Sequence, residues 1–400
     1  MPDIEVCKCL KSSSNEIIFK CWYCLTKSIH SRLRWAGLSF KKLDKKIHYY
    51  DLTVFFLLFS FTIFHLILII MNIFNCENSL RIALHEVFGK NYNDVIFLLF
   101  DIALLSTIYS YLFNFTSLPS KSERQISTLW SRTFDHATLS HSLETYRILL
   151  KIERIFSKMI IPVFLFTCVT VVLMSIYNVN KVFLKYISKL SILCIYVHFF
   201  LCSNAICFLV MAELNYGILI CIILKRKFDE VSLHFQYILN NLTEIYNVKA
   251  IQFRHHLVTL LVQATDIMFQ WILFLLYTLV VPLMFIGLKS FFHDKEMFIK
   301  IIIYFFSIIS LFGICGFTVL AGYVNVAAHR IREVVIELCD EEIPTDIRLQ
   351  LNIFLGRLKG SPIGLTCLGI FVVTPNTLSS IFSLLLTYLL MYYQYEETNK

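Results

Sequence analysis

Almost uncharged apolar runs of bilayer-crossing length recur along this chain and decide what it can fold into. They lie at 52–74, 95–115, 159–177, 190–224, 271–288, 298–323 and roughly 369–393. About 20 apolar residues cross a bilayer as a helix, so the pattern predicts an all-α membrane protein with seven transmembrane helices. The run at 190–224 is long enough to project beyond the membrane. Composition agrees: 57% of residues are hydrophobic and 16% charged, against about 25% charged in ordinary soluble domains. The first 51 residues carry ten Lys and Arg and no apolar segment of signal-peptide length, so the first span is expected to act as its own insertion signal.

Loop charge sets the orientation, because Lys and Arg accumulate on the cytoplasmic side. The N-terminal tail and the alternate loops that follow it hold 27 of the 36 basic residues, against nine on the other side or its edge. A cytoplasmic N-terminus and an extracellular C-terminus follow. This topology is inverted relative to G-protein-coupled receptors. In keeping with that, there is no Asp-Arg-Tyr triplet after the third span, and Cys76 is the only clear outer-side cysteine. The sequons at Asn114 and Asn241 fall on the cytoplasmic side and are expected to stay unmodified. The net charge of +8 reports membrane orientation, and nucleic-acid binding is not expected.

The segment 345–360 precedes the last span and is amphipathic. Ile347, Leu351, Phe354, Leu355 and Leu358 recur at helical spacing, while Arg348, Asn352, Arg357 and Lys359 stay polar. Thr345 is the expected N-cap and Gly360 the expected stop. It is too short and charged to cross, and so either packs in the cytoplasm or lies on the membrane surface. The chain thus divides into a tail at 1–51, a six-helix bundle at 52–344, this helix at 345–360, a last span at 361–395 and an outer tail at 396–400.

On a helical wheel at about 100° per residue, Asn376, Ser379, Ser380, Ser383, Thr387 and Gln394 fall within an arc of roughly 120°. Such a stripe suits either a wall facing water or close helix–helix contact. Asp101, inside the second span, faces either a cavity or neighbouring hydroxyls. Glu213, late in the fourth, is read as structural.

The chain ends in Thr387-Tyr388, five hydrophobic or aromatic residues, Gln394 and Tyr395. This resembles the C-terminal signature of insect gustatory receptors, which reads Thr-Tyr, five hydrophobic residues, Gln and Phe. Length, hydropathy and the inverted topology resemble that family over the whole chain. The resemblance implies a tetrameric, tastant-gated, non-selective cation channel in the plasma membrane of chemosensory neurons, with the last helix of each copy around one pore. Gln394 would then form the outer ring, Leu390 and Met391 the gate beneath it, and Thr387 and Ser383 the wall, with Tyr388 and Tyr395 setting helix packing. The amphipathic helix would join an anchor between copies. The tastant would enter an outer-half pocket among the middle helices, for which Asp101, Tyr177, Tyr196, His198, Tyr304 and Phe305 are candidates; each also reads as ordinary packing. Sugar-sensing members tend to carry Glu after the Thr-Tyr pair. Leu389 stands there, which leaves bitter compounds as the leading expectation and a fructose-type receptor or an odorant receptor as alternatives.

Cys7, Cys9, Cys21 and Cys24 lack a second pair at zinc-site spacing, and the adjacent His255 and His256 lack the spacing for two ligands on one helix face. No enzyme motif, metal site or cofactor site is expected. The expected partners are a small tastant, other copies of the chain or related subunits, and membrane lipids.

Overall fold

The computed structural model describes Phe56, Phe59, Ser60 and Ile63, residues 118–133, Lys151, and residues 189–281, 297–360 and 362–398. The chain divides into two compact units. One holds Met1–Ser28, Pro119–Lys151 and Leu214–Lys400; the other holds Ile29–Leu118 and Ile152–Glu213. The spans expected at 95–115 and 159–177 lie outside the described residues, as does most of that at 52–74.

Helix α1 is Leu118–Thr133 and α2 is Lys189–Asn240. A 3-10 turn at Leu242–Asn247 leads into α3, Val248–Leu275, which continues as a π-helical turn at Leu276–Val280. Helix α4 is Met297–Asp340 and α5 is Thr345–Leu358. A hairpin of β1, Thr366–Cys367, and β2, Phe371–Val372, then precedes α6, Pro375–Thr398. Two of the described helices, those formed by α3 and α4 with their flanks, are long and apolar enough to cross a membrane. The 52 residues of α2 are more than twice the about 20 that cross a bilayer.

Helix α3 runs antiparallel to both α2 and α4, as the short turn between α2 and α3 requires of the first pair. Between α2 and α3, Tyr216 meets Phe269 with ring centroids 5.7 Å apart, and Phe228 meets His255 at 5.3 Å. The rising number on one helix against the falling number on the other fixes the register. Between α3 and α4, Phe269 meets Phe317 at 6.3 Å and the His255 ring bonds the Ala328 carbonyl at 3.3 Å. Phe228, Phe269 and Phe317 are fully buried, each worth about 1.5–3 kcal/mol of apolar burial.

Helix α5 closes the far end of this core. Its five expected apolar residues, Ile347, Leu351, Phe354, Leu355 and Leu358, are all buried. Phe354 stacks on Phe235 of α2 at 5.8 Å and stands edge-on to His255 at 5.2 Å. The apolar face is therefore covered by the chain's own helices instead of a lipid surface. Its N-cap is Pro344, where Thr345 was expected. Proline's fixed φ and missing N–H suit a helix entry, and the Ile347 and Arg348 amides bond the Pro344 carbonyl. Gly360 follows the helix as expected, its amide bonding the Arg357 carbonyl at 3.2 Å.

Three other boundaries differ from the sequence reading. The last helix begins at Pro375, not at 361 or 369, because the Leu368-Gly369 turn folds the preceding residues into the hairpin. It also continues to Thr398, so most of the expected outer tail at 396–400 is helical. The helix carrying the run at 271–288 begins at Val248, well before that run. Hydropathy marks where a helix turns apolar, not where its hydrogen bonding starts.

Polar contacts tie the elements outside the apolar core. The Lys227 ammonium pairs with Glu230 at 2.8 Å and lies over the Trp130 ring of α1, 5.3 Å from its centroid. Asp229 pairs with Lys225 at 2.7 Å and faces Arg330 of α4 at 3.5 Å. Asn241, part of the sequon at the end of α2, caps its own helix by donating to the Tyr237 carbonyl at 3.1 Å.

Candidate functional site: the last helix and the hairpin that leads into it

Helix α6 packs on α4 through a single apolar edge. Ile381 and Leu385 are 9% and 5% exposed, and Leu378 and Leu389 are half-buried. At about 100° per residue this edge centres roughly opposite the polar stripe. Asn376, Ser379, Ser380, Ser383, Thr387 and Gln394 are all exposed, so the stripe faces away from the chain's own core. Leu390, at 55% exposure, lies within the stripe, and Met391, at 58%, beside it. The Thr387 hydroxyl donates to the Ser383 carbonyl at 2.8 Å and Ser380 to Asn376 at 3.2 Å. These hydroxyls partly satisfy their own helix, which makes the stripe compatible with an apolar neighbour as well as with water. Tyr388 is half-exposed, and Tyr395 lies on the same helix.

Of the six candidate pocket residues, Asp101 and Tyr177 lie outside the described residues. Tyr196 and His198 lie on the N-terminal half of α2, and Tyr304 and Phe305 near the start of α4. Among the described residues, no three His, Cys, Asp or Glu side chains converge as a metal site would require.

The base of α6 is held by contacts that the sequence reading did not single out. From α3, the Asp266 carboxylate accepts both the backbone amide and the hydroxyl of Thr366, the latter at 2.8 Å. From α4, Asn325 donates to the Ile363 carbonyl at 2.9 Å, and the Ile363 amide donates to His329 Nε2 at 3.2 Å. The neutral ring is the form whose Nε2 can accept the Ile363 amide. Farther along, Tyr277 of the π turn bonds Thr318 of α4 at 3.0 Å and meets the Phe371 ring at 6.0 Å.

Close backbone approach completes the attachment. At Gly322 of α4 a Cβ would stand 2.7 Å from the Pro375 nitrogen and 2.9 Å from the Thr374 carbonyl carbon. Only a residue without a side chain lets α4 meet the first turn of α6 this closely. The hairpin turn is also unusual, with positive φ at both Leu368 (50°) and Gly369 (71°). For a leucine this region costs about 1–2 kcal/mol, which the surrounding bonds must offset. One sequence signal pointed here: Asp266 is the only Asp, Glu, Lys or Arg between Arg254 and Lys289.

No protein-family model matches the sequence, and no curated protein sequence matches it. The fold does match solved structures. The insect olfactory receptor OR5 from Machilis hrabei superposes with a TM-score of 0.65 at 14% identity, over 92% of this chain and 96% of the receptor. The same receptor in complex with eugenol gives 0.60 at 14% identity, over 95% and 100%. Both are receptors, not enzymes. At this identity the likeness is one of fold, and the chain has the all-helical membrane fold of an insect chemoreceptor.

Proposed function

We propose that this chain is a gustatory receptor acting as a tastant-gated, non-selective cation channel, with α6 of several copies around a common axis. The observation that carries the reading is the placement of the polar stripe. A helix with one apolar edge against its own chain and its hydroxyls and amide on the opposite side suits a water-filled axis formed with other copies. The olfactory-receptor fold supports the same class of molecule. Gln394 then rings the outer constriction, Leu390 and Met391 form the hydrophobic gate beneath it, and Thr387 and Ser383 line the wall. Glu396 and Glu397 follow immediately and add negative charge at the same end, which favours cations. Four copies, a cytoplasmic anchor that includes α5, an outer-half tastant pocket and a plasma-membrane setting in chemosensory neurons complete the proposal. A ligand opens such a pore only by binding the open state more tightly than the closed one.

Bitter compounds are the proposed ligand class, because Leu389 stands where sugar-sensing relatives tend to carry Glu. A second reading, an odorant receptor subunit, is favoured by the match to the olfactory receptor and its eugenol complex. The Thr387-to-Gln394 signature favours the first.

Cells expressing the chain alone, challenged with bitter compounds, sugars and eugenol, test both. Fast cation current independent of G proteins, altered by Gln394→Ala, is the expected result. Responses to bitter compounds favour the gustatory reading, and responses to volatile odorants alone favour the other. Ligand-evoked current indifferent to Gln394→Ala removes the pore role of that residue.

A further inference from the structure

We propose that Asp266 is a positioning residue for gating: its carboxylate straps the hairpin ahead of α6 to α3, so that α6 moves with α3. This rests on the reading of α6 as the pore helix and adds the element that drives it.

Thr366 commits both its amide and its hydroxyl to the strap. Both donate to Asp266, and its hydroxyl oxygen accepts the Gly369 amide at 3.1 Å. One carboxylate thereby fixes the turn as well as the strand. Two strands of two residues each are too short to hold together unaided, and the turn between them includes the strained Leu368. Strained backbone persists only where its surroundings over-determine it.

The hairpin lies along one face of α3. Asp266 and Tyr277 are separated by three helical turns and share that face. Thr366 is bound at the first and Phe371 meets the second. Tyr277 sits in the π-helical turn, a geometry frequent at functional sites. On α4, the residues flanking the hairpin are held at Asn325, His329 and Gly322. Breaking the Asp266 bonds thus leaves the base of α6 fixed to α4 but released from the polar hold of α3. A partly buried carboxylate is a poor choice for stability alone, since desolvation opposes its attraction to partners. It is a good choice for a stiff, directional link, because hydrogen bonds to a charged acceptor are about twice as strong as neutral ones.

The test compares Thr366→Val, Thr366→Ser, Asp266→Asn and the Thr366→Val/Asp266→Asn double variant. Current evoked by eugenol and by bitter compounds is divided by surface-labelled receptor. Thr366→Val keeps shape and amide and loses the hydroxyl. It should raise the half-maximal ligand concentration at least about fivefold, the lower end of ordinary coupling between sites. Thr366→Ser should stay near wild type, and the double variant should be no worse than the poorer single one, as partners in one interaction require. A merely structural role would lower the amount at the surface without moving the half-maximal concentration. Wild-type half-maximal concentrations in both Thr366→Val and Asp266→Asn overturn the proposal. A wild-type chain that reaches the surface and carries no ligand-evoked current removes the channel reading instead. The strap is then judged by hydrogen exchange of purified protein, where unchanged protection of the 366–372 amides in Asp266→Leu overturns it.

Discussion

His255 of α3 stands edge-on to Phe354 of α5, ring centroids 5.2 Å apart, while its Nε2 reaches the Ala328 carbonyl of α4 at 3.3 Å. With Phe228 of α2 also 5.3 Å away, one imidazole joins four helices, about 16 residues before the span expected at 271–288.

That arrangement makes His255 a structural link of the helical core. His255→Ala removes the ring contacts with Phe228 and Phe354 and the bond to the Ala328 carbonyl, and should destabilise the protein by about 2–5 kcal/mol. Thermal melts of detergent-purified protein check this; an unchanged midpoint would show that the neighbouring rings close the gap.

Phe354 is the apolar anchor of α5. Phe354→Ala removes its contacts with Phe235 and His255, and should destabilise the protein by about 3–5 kcal/mol. Phe354→Leu should cost about half as much or less. Leu349→Ala, on the exposed side of the same helix, should leave the monomer's melting midpoint within error. If it instead lowers the assembled fraction on size-exclusion chromatography, that face is covered by another copy.

Gly322 sets the approach of α4 to α6. The methyl group of Gly322→Ala meets the Thr374–Pro375 backbone, which cannot rotate away as a side chain can. A loss of about 1–3 kcal/mol is expected, with the first turn of α6 displaced. Increased hydrogen exchange limited to residues near 374–380 would locate the effect; a wild-type melting curve and exchange pattern would contradict it.

Ser383 and Phe382 are adjacent and both exposed, yet only Ser383 belongs to the polar stripe. Cysteine substitution along α6 should therefore give a periodic result. Ser383→Cys, Thr387→Cys and Gln394→Cys should react with a water-soluble methanethiosulfonate reagent and change the current severalfold, following the period of about 3.6 residues. Phe382→Cys should react slowly. Uniform reactivity along the helix would deny it a single wet face.

Sequence alone fixed the elements whose signal is local. Apolar runs identified the helices within α2, α3, α4 and α6, and the spacing of Ile347, Leu351, Phe354, Leu355 and Leu358 identified the buried face of α5, because side-chain periodicity in a helix follows from its geometry. The polar stripe of α6 was equally legible. What covers each face was not, since a stripe of serines reads alike against water and against another helix. Tertiary structure decided that Ile381 and Leu385 face the core and that the stripe faces away from it. It also decided where α6 begins: hydropathy runs unbroken across Gly369 to Pro375, and only the positive-φ turn at Leu368 and Gly369 separates hairpin from helix. The link between Asp266 and Thr366 lay furthest from view. Its partners are 100 residues apart, and a hydrogen bond between distant residues leaves no periodicity in the chain. A lone charge in an apolar stretch announces that a partner is needed, and only the packing of α3 against the hairpin supplies it.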